Sequence, residues 1–194
     1  MNYLAHLYLA EDDPASIIGN LMGDFVKGRV PDDLCPALRR GIIMHRKVDV
    51  YTDTHPIFRV SKQRIRPQFR RYGGVLVDIY YDHFLARDWD RYSAKSLRNF
   101  SLTVYRILHD HYRELPTRMQ RSIRYMIAND LLMSYQKIDS IGRSLAGIER
   151  RLKRASRLHE AVIDLEQNYA ALGADFNAFF PQLIAFVEAE SRMH

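Results

Sequence analysis

Three stretches in the first half of the chain carry imidazoles and carboxylates at spacings that can bring them together. They are Gly19-Asn20-Leu21-Met22-Gly23-Asp24-Phe25, Met44-His45-Arg46-Lys47-Val48-Asp49-Val50-Tyr51-Thr52-Asp53, and Asp78-Ile79-Tyr80-Tyr81-Asp82-His83-Phe84. On a helix, His45 and Asp49 stack one turn apart, as do Asp78 and Asp82, while Asn20 lies one turn before Asp24. His6 sits in a short apolar segment at the start. Imidazole and carboxylate on facing helices are how helical bundles hold metal ions. Nitrogen and oxygen donors without thiolate suit manganese, magnesium, iron or zinc, and the carboxylate share favours manganese or magnesium.

Each feature also has a plainer reading. An i, i+4 His/Asp pair is commonly a solvated surface pair. His6, between Leu4, Leu7 and Leu9, reads equally as a satisfied core histidine. Asp78 and Asp82 are harder to set aside. They interrupt an apolar run, and like charges one turn apart repel unless a cation or a shared proton intervenes.

These residues need helices to hold them. Glycine and proline are sparse, at 9 and 7 of 194 residues, which favours helices over many short strands. Asp13 and Pro14 predict a helix start, with the helix running to about Val26. A second helix is expected from about Asp33 to Tyr51. Thr54 is expected to cap another, opened by Pro56 and bent at Pro67. Gly73-Gly74 breaks the chain. Val75 to Leu85 exceeds ordinary strand length without strict alternation, so a helix is preferred. Ser93 is expected to cap a helix to about His111, and Pro116 to open another. Amphipathic stretches follow at 140–154 and 157–172, and a last helix is expected after Pro181. The fold class is all-α, a compact multi-helix bundle, with residues 1–194 forming one domain.

Composition narrows the function classes. The hydrophobic share is 47% and the charged share 27%, which argues against disorder. The single cysteine, Cys35, excludes an internal disulfide and a CxxC zinc site. There is no Gly-x-Ser-x-Gly elbow and no P-loop. The start lacks a basic n-region, and no apolar run is expected to reach the roughly 20 residues of a membrane span, so a cytoplasmic protein is expected. The net charge is +6. Its basic residues cluster at Lys62–Arg71, at Arg118, Arg121 and Arg124, and from Arg143 to Arg157 with Arg150, Arg151, Lys153 and Arg154. Aromatics do not interleave with them for base stacking, so an acidic protein or a phosphate ligand ranks above nucleic acid.

The opening Met1-Asn2-Tyr3-Leu4-Ala5-His6-Leu7, the block Gly19–Gly28, the block Gly41–Asp49, Asp82-His83-Phe84-Leu85-Ala86 and Phe179-Phe180-Pro181 together resemble the bacterial acyl carrier protein phosphodiesterases. The blocks match in order and spacing over nearly the whole chain. That family is similar to a divergent branch of the HD-type metal phosphohydrolases. The resemblance implies an HD-like all-α fold and a Mn2+-dependent reaction, with Mg2+ as a substitute. The implied substrate is holo-acyl carrier protein, a small acidic protein. Hydrolysis of the phosphodiester joining 4′-phosphopantetheine to a serine would give the apo form. Arg46 follows His45 where the superfamily has Asp, and Asp82-His83 reverses the dipeptide.

On this reading Asp24, His45 and Asp82 ligate the metal, with His6 a further ligand. Asp49, Asp78 and His83 orient ligands or move protons. Arg46 or Lys47 contacts the phosphate. Two other readings remain open. One is an HD-type phosphohydrolase of a nucleotide or another small phosphodiester. The other is a metal-free module that only docks an acidic protein.

Overall fold

The computed structural model describes residues 1–150, 152 and 156–193. Among these residues all the regular structure is helical, without strands. The helices are α1 (Tyr3–Tyr8), α2 (Pro14–Met22), α3 (Pro36–Thr54), α4 (Pro56–Gln63), α5 (Gly73–Arg87) and α6 (Leu97–Asp110). They continue with α7 (Thr117–Ala128), α8 (Leu131–Ser134), α9 (Ile138–Glu149), α10 (Val162–Gln167) and α11 (Tyr169–Ser191). Short 3-10 turns join several of them.

The long apolar run becomes α5, and its burial explains its pattern. Leu76, Val77, Tyr80, Tyr81, Phe84 and Leu85 are fully buried, so the helix is apolar nearly all round and shows no strong amphipathic stripe. The other helices pack about it. α1, α4, α9 and α11 all touch α5, and α2 lies along α3. The α2–α3 pair is close because glycines face each other. A Cβ on Gly19 would lie 2.3 Å from the Leu38 carbonyl oxygen, and one on Gly41 would lie 2.6 Å from that of Ser16.

Asp13 caps α2 as expected, its side chain accepting from the Ser16 amide. Other boundaries differ from the sequence expectation for identifiable reasons. α3 begins at Pro36 rather than near Asp33, since that proline supplies the preset φ of a first helical residue. Thr54 does not cap α4. Its hydroxyl donates back to the Val50 carbonyl, and His55 Nδ1 accepts from the Ile57 amide instead. Pro67 does not bend α4, which has ended at Gln63. It forces Arg66 to an extended ψ of 147° and opens a 3-10 turn over Pro67–Tyr72. Ser96, not Ser93, caps α6 by accepting from the Asn99 amide.

The stretch 157–172 is divided among the 3-10 turn Leu158–Ala161, α10 and the start of α11. The last helix does not wait for Pro181. It runs through that proline, which costs about 3 kcal/mol in a helix interior. Phe176, Phe179, Phe180 and Leu183 are fully buried on either side, and their packing offsets that cost. Contrary to the expectation from sequence, α11 is long and apolar enough to cross a membrane by length and composition, and its Phe176, Phe179, Phe180 and Leu183 are buried in the core. Of the basic run after Arg143, Arg151, Lys153 and Arg154 lie outside the described residues.

Candidate functional site

α1 carries His6 into the interior, and α3 brings His45 to it. Both are buried, and their rings stack with centroids 3.9 Å apart and planes 19° from parallel. His45 fits because residue 23 is glycine. A Cβ there would lie 2.2 Å from the His45 ring. Sequence reading missed this role of Gly23, whose only signal was a glycine one residue before Asp24.

The two imidazoles face one carboxylate. His6 Nε2 lies 3.1 Å from Asp49 Oδ1, and His45 Nε2 lies 3.2 Å from Asp49 Oδ2. Asp24 Oδ1 is 3.5 Å from His45 Nε2. The Met1 ammonium lies 3.2 Å from both Asp49 and Asp78. One donor atom each from His6, His45 and Asp49 falls within 4.8 Å of the others. The carboxylates of Asp24 and Asp49 remain 53% and 42% exposed, so the group opens to solvent on its acidic side.

The electrostatics separate the two histidines. Burial pushes His6 down to about 4, and the neighbouring ammonium and His45 add to that shift. Burial opposes charge on His45 too, but the hydrogen-bonding carboxylates of Asp24 and Asp49 outweigh it and raise it to about 9. Burial would raise Asp49, yet bonds from His45 and His6 hold it well below the usual carboxylate range. Asp24 is likewise held low by His45 against burial. The carboxylates of Asp24 and Asp49 thus favour the protonated form of His45, while the Met1 ammonium also faces Asp49.

The other predicted residues lie elsewhere or do other work. Asp82 is outside the cluster. It is fully buried, and its two oxygens accept the amides of Leu4 at 2.8 Å and Ala5 at 3.0 Å. It anchors the start of α1 and so holds His6 in place. Burial pushes it up to about 7, with the two amides pulling the other way. Asp78, raised by burial, faces the Met1 ammonium. The start of the chain thus answers both acids on α5, Asp78 with the Met1 ammonium and Asp82 with two amide donors.

His83 is also apart. Its ring joins the Tyr135 carbonyl at 2.7 Å and the Tyr169 hydroxyl at 2.9 Å, tying α5 to the end of α8 and the start of α11. Arg46 donates to the carbonyls of Gly28 and Val26, each at 2.7 Å, and so fastens the loop that follows Asp24. Lys47 pairs with Glu190 at 2.6 Å. Asp53 is carried by α3 but is exposed.

The donor set fits a divalent ion of intermediate hardness: two imidazole nitrogens, carboxylate oxygens, and an open side for water or substrate. Fold and site define a class, an all-helical protein in which two buried histidines and a half-exposed aspartate form a group that could hold a metal ion. Comparison with known proteins makes the class specific. The sequence model of the family described as acyl carrier protein phosphodiesterase matches residues 1–183. The acyl carrier protein phosphodiesterase of Serratia proteamaculans is 37% identical over 185 residues, spanning 95% of this chain and 96% of that protein. That of Photorhabdus laumondii is 35% identical over 189 residues, spanning 97% and 96%. That of Escherichia coli O157:H7 is 34% identical over 186 residues, spanning 95% and 96%. No solved structure matches the chain. The chain belongs to the acyl carrier protein phosphodiesterase family.

Proposed function

We propose that this protein is a metal-dependent phosphodiesterase that removes 4′-phosphopantetheine from holo-acyl carrier protein, with residues 1–194 acting as one domain in the cytoplasm. The observation that carries the metal-centred reading is the convergence of His6, His45 and Asp49 on a space bordered by Asp24. Family membership supplies the substrate. The +6 net charge suits an acidic protein partner.

In the reaction the oxygen of water attacks phosphorus. The bond from phosphorus to the serine oxygen breaks, and that oxygen takes a proton to regenerate the serine hydroxyl. We assign His6, His45, Asp49 and Asp24 as the ligands that would hold Mn2+, with Mg2+ as a substitute. A bound divalent ion supplies charge neutralisation for the phosphoryl oxygens and lowers the pKa of the attacking water.

The remaining residues act around that group. Asp78 is the carboxylate we assign to proton transfer. Asp82 and His83 become positioning residues, the first for α1 and the second for the packing of α5. Arg46 positions the Asp24 loop by its two carbonyl contacts, and Lys47 is held on the rim by Glu190.

Activity on holo-acyl carrier protein, measured with Mn2+, with chelator and beside a panel of nucleotide phosphodiesters, tests this reading. The expected result is conversion of the carrier that chelator stops and Mn2+ restores, with the nucleotides left intact. Hydrolysis of a nucleotide in preference to the carrier would favour the small-phosphodiester reading. Carrier binding without turnover, indifferent to chelator, would leave only a docking module.

A further inference from the structure

A second concave surface lies beside the site. It is a cavity of about 600 Å³ between α7, α9 and the start of α1, and three arginines, Arg118, Arg121 and Arg150, line it. Arg118 and Arg121 project from the face of α7 that also bears Tyr125. Across from them, a Cβ on Gly147 would meet the Tyr125 hydroxyl at 3.6 Å and the Arg150 guanidinium at 3.7 Å. Gly147 thus forms part of the floor, with the Tyr125 hydroxyl and the Arg150 guanidinium both beside it. All three arginines are exposed, and among the described residues none is ion-paired. Several arginines elsewhere are held by carboxylates, Arg64 by Asp175, Arg66 by Asp164 and Arg87 by Asp88, and so are not free to meet a partner. Three unpaired guanidiniums around one hollow repel one another unless an anionic surface joins them.

Position adds to charge. Asn2 and Ile79 line the same cavity, and their chain neighbours Met1 and Asp78 reach the candidate centre, where Met1 contacts Asp49. The bond to be cut joins phosphate directly to a serine at the surface of the carrier. A carrier docked for cleavage must therefore lie against surface only a residue or two from the centre. The arginine-lined cavity meets that requirement.

We infer that the cavity framed by Arg118, Arg121 and Arg150 is the docking surface for the carboxylate-rich face of the carrier protein, an inference that rests on the function proposed above. The guanidiniums pair with carboxylates of the carrier and set its orientation, while the His6–His45–Asp49 group acts on the phosphodiester.

The test compares wild type with R118E/R121E and with the charge-matched control R98E/R106E, whose arginines are exposed on α6. Two quantities are read for each: kcat and KM on holo-acyl carrier protein with Mn2+, and the Kd for apo-acyl carrier protein, which lacks the reacting arm. Thermal melting verifies folding, and glutamate in the first turns of α7 suits the helix dipole. R118E/R121E is expected to raise KM and Kd by about tenfold or more with kcat within about twofold, and the control to change neither. Unchanged KM and Kd in R118E/R121E would overturn the inference. So would equal rises in both variants, which would mean that net charge alone acts. A fall in kcat with KM and Kd unchanged would place the arginines in the chemistry and overturn it too. If wild type failed to turn over the carrier, the proposed function would fall, and the apo-carrier Kd would still decide whether this surface docks it.

Discussion

His6 stacks on His45 at 3.9 Å, and both present Nε2 to the single carboxylate of Asp49. The contact joins residues 39 positions apart, through α1 and α3, into one donor group. If that group holds the metal, removing a member should stop the reaction without unfolding the chain. His45→Ala and Asp49→Asn are expected to lower kcat by at least about a hundredfold and to lose bound Mn2+ in equilibrium dialysis. Wild-type turnover in either variant, with a native circular dichroism spectrum, would contradict the assignment.

Asp82 gives the contrasting case. Asp82→Ala strands the Leu4 and Ala5 amides in the interior, at a cost of about 2–4 kcal/mol for the two. Urea unfolding should show that loss. At temperatures where the variant is folded, Mn2+ binding should fall less than in His45→Ala. A variant of unchanged stability that no longer bound Mn2+ would make Asp82 a ligand after all.

Arg46 distinguishes a loop clamp from a phosphate contact. Its fork reaches two carbonyls at once, which a lysine ammonium cannot reproduce. Arg46→Lys is therefore expected to weaken Mn2+ binding about as much as Arg46→Ala, through a loosened Asp24. If lysine instead preserved Mn2+ binding and kcat while alanine lost kcat, the arginine would be touching phosphate.

Gly23 fixes the space for His45. Gly23→Ala should displace the ring, lower kcat and destabilise the fold by about 1–3 kcal/mol, as overpacking does. Full activity would show that the ring can move without consequence.

Burial holds His83 below its ordinary value of 6.5. The unfolded chain takes up this proton at a pH where the folded protein does not. The stability from the neutral ring is therefore present above about pH 6.5 and lost as pH falls below it. Urea midpoints at about pH 7.5 and pH 5.5 should drop more steeply for wild type than for His83→Gln, in line with that linkage. Equal slopes would remove His83 from the pH dependence.

Local signals carried much of this architecture into view. The Asp13–Pro14 start, the helical reading of Val75 to Leu85 and the stacking of His45 on the same face as Asp49 all follow from short-range rules. What escaped depends on contacts distant in sequence. The spacing of Asp78 and Asp82 marked the pair as needing a cation or a shared proton. Nothing in that spacing could say that Asp82 meets amides 77 and 78 residues earlier, or that Asp78 meets the Met1 ammonium. The carbonyl partners of Arg46, on Gly28 and Val26, are likewise invisible in a sequence. Pro181 looked like a helix start because propensity does not record the buried phenylalanines that carry α11 through it.

The central claim is that water, activated among His6, His45, Asp49 and Asp24, cleaves the phosphorus–oxygen bond to serine. The most direct measurement is mass spectrometry of both products after holo-acyl carrier protein is treated with Mn2+-loaded protein in ¹⁸O-labelled water. The account predicts one ¹⁸O in the released 4′-phosphopantetheine and an intact, unlabelled serine on the carrier. Unlabelled 4′-phosphopantetheine beside a dehydroalanine on the carrier would show elimination instead, and an unchanged holo-carrier would show no such activity. Either result would contradict the account.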